Sequence, residues 1–308
     1  MLSRIAESLF WIGRYVERAD DTARILDVQT QLVLEDPTSN ESTTCRAVLS
    51  IMGAEPPPGD ELDIARLIDL LAHDQSSPES IAACLQAARE SARRARETLS
   101  EPLWVAINRT YLAIDSGAFR AMRRDRGLRW VRDQAALING TADATMTRDE
   151  GWQFFVLGRT LERADMTARL LASAALSPGH AWTSTLRACG AHEAFLRARR
   201  GLETDREVVE FLLLDRLFPG AVAYAVTSAE RCLSDLEATA HRSDVDGDAR
   251  RILGRARSEL EYRSVTDLLE DLPGAMDRFQ RACAAATDAI TRHFFAGSEA
   301  LAWHGHRQ

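Results

Sequence analysis

One segment of seventeen residues occurs twice in this chain. Residues 10–26 read FWIGRYVERADDTARIL, and residues 155–171 read FVLGRTLERADMTARLL. At an offset of 145 residues, eleven of the seventeen positions are identical, whereas unrelated segments of this length share about one. The repeat therefore indicates a duplicated unit of about 150 residues.

In both copies the polar residues lie along one side of a helix. Counted at 3.6 residues per turn, all of them except the arginine that follows each glutamate fall within about 60° of a single line, and that arginine lies beside it. The residue types are the same in the two copies. We call this line of charged side chains the polar stripe. It consists of Arg14, Glu17, Arg18, Asp20 and Arg24 in the first copy and of Arg159, Glu162, Arg163, Asp165 and Arg169 in the second.

The opposite face of the helix differs between the copies while it stays largely apolar. Trp11 and Val16, for example, become Val156 and Leu161. Such drift is typical of a core face, where hydrophobic swaps of similar volume are tolerated. Exposed ion pairs are worth only about 0–1 kcal/mol and would be expected to drift more. The polar stripe is therefore predicted to face protein or a ligand, either as an ion-pair network along each helix at i+3 and i+4 or as a binding site.

Helical periodicity runs through nearly every segment, and no stretch shows a strict alternation of polar and apolar residues. We predict an all-α helical bundle that forms one domain over residues 1–308, built from two pseudo-repeated halves at about 1–147 and 148–308. Single helices are predicted over residues 102–123 and 183–199. If an approximate twofold relates the halves, the two stripes are expected to meet near its axis and form one composite site.

Composition excludes several classes of function. The formal net charge of -8 opposes general nucleic-acid binding. No lysine occurs among the 38 basic residues, which removes the phosphate-loop and Schiff-base lysines, and no glycine-rich phosphate loop is present. We therefore predict no cofactor. No Glu-x-x-His spacing supports a di-iron site, so no metal is predicted either.

The five cysteines are widely spaced and odd in number, which predicts free thiols in a reducing cytoplasm. No apolar run approaches the length of a transmembrane helix. The first residues lack the pattern of a signal peptide. The expected location is therefore the cytoplasm, away from any membrane.

The two repeated segments closely resemble the alpha-E family, a bacterial all-helical domain named for its Glu-Arg motif. The motif is matched by Glu17–Arg18 and Glu162–Arg163, and residues 102–112 (PLWVAINRTYL) also look like the family's pattern. The resemblance extends to residues 137–150, 208–219 and 293–295. It implies a partnership with a circularly permuted ATP-grasp protein, and often with a transglutaminase-like protein, in peptide synthesis or modification.

Two kinds of function stay open at this point, and the first is favoured. In the first, the protein is a non-catalytic binding or scaffold partner of an ATP-grasp ligase, and the ligase performs the ATP chemistry. In the second, it is an enzyme that uses Glu17 and Glu162 as paired carboxylates on a small peptide-like substrate, one of them protonated through burial. The neighbouring arginines oppose the second, since they should hold both glutamates ionised.

Overall fold

The structure, a computed structural model, describes residues 1–35, 40–56, 62–176, 182–199, 203–239 and 248–295. Within these ranges the protein is helical and contains no strand, which confirms the predicted all-α class. The helices are α1 Ser3–Glu35, α2 Glu41–Met52, α3 Ile64–Ile68, α4 Ile81–Arg94, α5 Glu101–Asp115, α6 Arg124–Thr145, α7 Glu150–Leu176, α8 Trp182–Ala188, α9 His192–Ala198, α10 Asp205–Leu214, α11 Val222–Thr239, α12 Asp248–Glu261, α13 Val265–Glu270 and α14 Leu272–Phe294. A turn of π-helix, Asp69–His73, continues α3.

Several helices begin where the sequence supplies a side-chain cap. Asp63, Ser80 and Ser100 each precede a helix and accept a hydrogen bond from the backbone N–H three residues further on. Such a cap satisfies one of the N–H groups that a helix start leaves without a partner. Pro102 lies in the first turn of α5, where its missing N–H costs nothing.

The two helices that carry the repeat form the centre of the bundle. Leu9 lies against Gly151, Gly13 against Arg159, and Glu17 binds Arg163. Because the numbers increase together, α1 and α7 run in the same direction. Helices α4 and α6 pack on α1, and α11 and α14 pack on α7. The arrangement agrees with a duplicated bundle, although the equivalence of residues 1–147 and 148–308 as whole halves stays a prediction.

The repeated glycines lie where α1 and α7 cross. A Cβ atom added to Gly13 would stand 2.2 Å from the Phe155 carbonyl oxygen, and one added to Gly158 would stand 2.0 Å from the Phe10 carbonyl oxygen. Any side chain here would collide with backbone, so only glycine permits this approach. The crossing sits in the larger of two hydrophobic clusters, beside the fully buried rings of Phe10 and Phe155.

Two predicted helices are shorter or broken in the structure, and one helix of the structure was not predicted. The helix predicted over residues 102–123 ends at Asp115, because Gly117 takes the left-handed conformation with φ 76°. The helix predicted over 183–199 is broken into α8 and α9 at Gly190, where φ is 62°. Helix α13 was not predicted. No helix in the described ranges is long and apolar enough to cross a membrane.

Candidate functional site

The glutamates of the repeat are bound across the crossing by arginines of the other helix. Glu162 of α7 accepts hydrogen bonds from Arg14 Nε at 2.6 Å and from Arg18 Nε at 2.5 Å. In return, Glu17 of α1 accepts one from Arg163 Nε at 2.5 Å. Each glutamate side chain is only 2% exposed. The two polar stripes therefore meet, and their glutamates pair between the helices rather than along them.

The aspartates of the stripes pair along their own helices. Asp20 binds Arg24, and Asp165 accepts from Arg169 Nε at 2.9 Å, both at i,i+4 spacing. Arg169 also donates to the Ile51 carbonyl oxygen at 3.2 Å, near the end of α2. A cation at this position is favourable because the last carbonyls of a helix carry partial negative charge. Arg169 therefore also ties α2 to the central pair.

Strong pairing fixes the charge state of Glu162. Burial alone would raise the pKa of this carboxyl, but Arg14 and Arg18 outweigh it and lower the pKa to about 2. The same pairing raises the pKa of Arg18 above its ordinary value, and that of Arg163 rises beside Glu17. Glu162 is thus an ionised carboxylate over the whole physiological range, held by three hydrogen bonds from two arginines.

Arg159 behaves differently from the other stripe arginines. It forms no ion pair with any residue that the structure describes, and its Nε is buried without a hydrogen-bond partner there. Its guanidinium lies 5.8 Å from the centre of the Phe155 ring. Burial and the nearby charge of Arg163 lower its pKa. Each of the other five stripe arginines forms an ion pair with an acid of α1 or α7, so Arg159 is the exception among the six.

Asp21 is not among the residues of the polar stripe, yet it lies beside the same charged side chains, Glu17 and Arg163 among them. Its Oδ2 atom is buried and has no hydrogen-bond partner among the described residues. Burial raises the pKa of this carboxyl well above its ordinary value, and the charges of Glu17 and Asp20 raise it further. The sequence did contain a sign of this difference, because the second copy of the repeat has Met166 at the position equivalent to Asp21.

The thiols near the stripes do not form a redox or metal site. The five cysteines are free, as predicted. Burial raises the pKa of the Cys84 thiol and of the Cys189 thiol to about 12, which leaves both protonated and unreactive. Among the residues that the structure describes, no group of His, Cys, Asp and Glu side chains is arranged to hold a metal ion.

An all-helical bundle whose centre is a repeated, reciprocally paired Glu-Arg motif defines the class of this protein. The Alpha-E family, described as a predicted alpha-helical domain with a conserved ER motif, matches residues 1–295, and the chain belongs to that family. The chain is 24% identical over 321 residues to an uncharacterized protein of Mycobacterium bovis and to one of Mycobacterium tuberculosis. These matches cover 94% of this chain but 36% of each relative, so the chain spans about a third of their length. No solved structure matches it.

Proposed function

We propose that the protein is a non-catalytic binding partner of a circularly permuted ATP-grasp ligase in a bacterial peptide-forming or peptide-modifying system. The observation that carries the proposal is the pairing of the repeated glutamates. Glu17 and Glu162 lie buried against arginines of the opposite helix, so the feature that defines the family joins two helices. A motif engaged in this way supports a scaffold better than a reaction centre.

The length of the relatives also supports a partnership. In the Mycobacterium proteins the matching region makes up 36% of a longer chain, so there it is covalently joined to further sequence. The chain has no lysine for phosphate binding, which favours leaving the ATP chemistry to a ligase. We place the complex, which we expect to include a transglutaminase-like protein in some systems, in the cytoplasm, where free thiols persist.

The alternative, an enzyme with Glu17 and Glu162 as paired carboxylates, has weaker support. A general acid must carry a proton near neutral pH. Arg14 and Arg18 lower the pKa of Glu162 to about 2 instead. Glu162 also has its oxygens occupied by three hydrogen bonds, which would have to break before it could contact a substrate.

The surface that best tests docking lies at the turns before α11 and after α12. Leu217 and Tyr262 are 87% and 88% exposed, more than any other large apolar side chain in the described ranges. An ion pair between Arg216 and Glu261, at 3.1 Å, holds the two turns together. Exposed aromatic and aliphatic side chains in one place are typical anchors of protein interfaces.

We expect the ATP-grasp protein of the same organism to bind the isolated protein in calorimetric titrations, and the double variant Leu217→Ser/Tyr262→Ser to bind it about tenfold more weakly. Leu34→Ser is the matched control, because Leu34 is also exposed (74%) but lies at the end of α1. Absence of binding by the wild-type protein would overturn the proposal. Tight binding of ATP by the isolated protein would contradict the claim that the ligase alone performs the ATP chemistry.

A further inference from the structure

The two sides of the helix crossing carry the same motif but differ in their bonding. On one side, Arg14 Nε donates to Glu162 Oε2 at 2.6 Å. The repeat makes Arg159 and Glu17 the equivalent pair, since both are offset by 145 residues. There, the same two atoms, Arg159 Nε and Glu17 Oε2, are buried and have no hydrogen-bond partner among the described residues. On the Glu162 side the two atoms bond to each other, and we call this the closed side. On the Glu17 side the equivalent atoms lack partners among the described residues, and we call this the open side.

Asp21 adds a third such atom to the Glu17 side. Five buried side-chain nitrogen or oxygen atoms lack a hydrogen-bond partner in the described part of the chain, and three of them belong to Glu17, Asp21 and Arg159. A buried polar atom without a partner is destabilising, because it has lost its hydrogen bonds to water. Glu17 is a charged neighbour of both Asp21 and Arg159, so the three unpaired atoms surround one carboxylate, and such a group indicates a place that a ligand completes. The second copy has no counterpart, since Met166 replaces the aspartate and is buried in the apolar core.

The unpaired atoms define the chemistry of that ligand. Arg159 offers a cationic N–H donor, which matches a carboxylate. Glu17 Oε2 and Asp21 Oδ2 are two carboxyl oxygens, and each can accept one of the three N–H groups of an ammonium group. The charged groups of this corner are three arginines and four acids, so a ligand that carries an ammonium group beside its carboxylate is favoured over a simple anion. They are Arg24, Arg159 and Arg163 with Glu17, Asp20, Asp21 and Asp143.

Solvent reaches the rim of this corner. The Arg163 side chain is 26% exposed and the Arg24 side chain is 23% exposed, whereas Glu17 behind them is 2% exposed. Two partly exposed arginine side chains thus stand between water and the buried carboxylate. A small molecule can enter by displacing their ends, without any separation of α1 from α7.

We infer that the Glu17 side binds the zwitterion of a free α-amino acid, with its carboxylate on Arg159 and its ammonium group on Glu17 and Asp21. A zwitterion carries both groups on one carbon atom, so a single compact ligand can bond to all three unpaired atoms. The inference deepens the proposed function, on which it rests for the use of the amino acid by a peptide-forming ligase. Amino-acid binding is tested on the isolated protein, without the ATP-grasp protein. Its failure can therefore be distinguished from a failure of the proposed partnership.

The test is a calorimetric titration of the twenty protein amino acids, one at a time. We expect at least one to bind with a Kd on the order of 1 mM or below. Its amide and its N-acetyl derivative, which each lack one charge, should bind about tenfold more weakly or not at all. Equal binding of either derivative, or no binding of any amino acid, would overturn the inference.

Variants of the repeat provide the matched controls. Asp21→Met, which installs the residue of the second copy, and Arg159→Gln should each weaken binding by about tenfold. Asp21→Asn keeps the shape of the side chain and should weaken binding as well, which covers the case in which Asp21→Met folds poorly. Met166→Leu alters the equivalent position of the closed side and should bind as the wild type does. Unchanged binding in folded Asp21→Asn and Arg159→Gln would overturn the site.

Discussion

The substitution Glu162→Ala is expected to lower the free energy of unfolding by about 3–5 kcal/mol, because it removes one partner of a buried charge pair. Glu162 is the acid that both Arg14 and Arg18 bind, and each of these arginine side chains is mostly buried. Without the glutamate, two guanidinium groups would remain beside each other with no counter-charge. Urea unfolding at pH 7, followed by the helical circular dichroism signal, measures the change.

An exposed ion pair provides the control. Asp277 binds Arg281 on α14, and their side chains are 61% and 66% exposed. We expect Asp277→Ala to cost less than about 1 kcal/mol, because solvent screens such pairs. A loss of that small size in Glu162→Ala would contradict the buried network at the crossing.

The pH dependence of stability gives an independent check of the same pair. The pKa of Glu162 is about 2 in the folded protein, against about 4.3 in an unfolded chain. A lowered pKa in an acid means that the stabilisation is complete above the unfolded pKa and is lost as the pH falls toward 2. The Glu162→Gln variant should therefore show less acid destabilisation than the wild type between about pH 4.5 and pH 2.5.

We expect Gly158→Ala to destabilise the protein by about 3 kcal/mol, near the upper end of the range for overpacking a core. Its Cβ would stand 2.0 Å from the Phe10 carbonyl oxygen, and a backbone atom inside a helix cannot move aside as a side chain can. The two central helices would have to separate, which would stretch the Glu-Arg pairs beside them. Thermal and urea unfolding of the purified variant measure the loss.

Gly140→Ala is the matched control for this substitution. Gly140 lies within α6, and an added Cβ would meet nothing within 4 Å. The same change should therefore stabilise the protein by about 0.5–1 kcal/mol, because alanine favours the helix over glycine. Similar effects of the two substitutions would mean that the close crossing does not exist in solution.

The sequence predicted the centre of this fold because the repeat constrains it. Eleven identities in seventeen positions identified the polar stripes and the glycines, and the drift of the apolar face correctly indicated a core. Breaks within helices were harder to predict. Gly117 and Gly190 end helices by taking a left-handed conformation, whereas Gly13 and Gly158 lie inside helices. A glycine in the sequence does not reveal which of these roles it has.

The difference between the two sides of the site could not be predicted from the motif, since its residues are identical in both copies. Arg14 is oriented by a second hydrogen bond, which its Nη1 donates to Thr287 Oγ1 at 3.0 Å, and Thr287 lies on α14, far away in sequence. The structure gives no such second bond for Arg159 in the described ranges. Tertiary packing therefore decides which copy closes on itself. Among the charged positions of the two copies, only the replacement of Asp21 by Met166 indicated in the sequence that the two sides differ.

The asymmetry of the crossing is the central claim, and equilibrium unfolding of Arg14→Gln beside Arg159→Gln tests it most directly. The two residues occupy the same position of the repeat. We expect Arg14→Gln to lose about 2 kcal/mol more than Arg159→Gln, because only Arg14 holds hydrogen bonds to a buried carboxylate and to Thr287. Equal losses in the two variants would show that Arg159 pairs with Glu17 as Arg14 pairs with Glu162, and would contradict the open side.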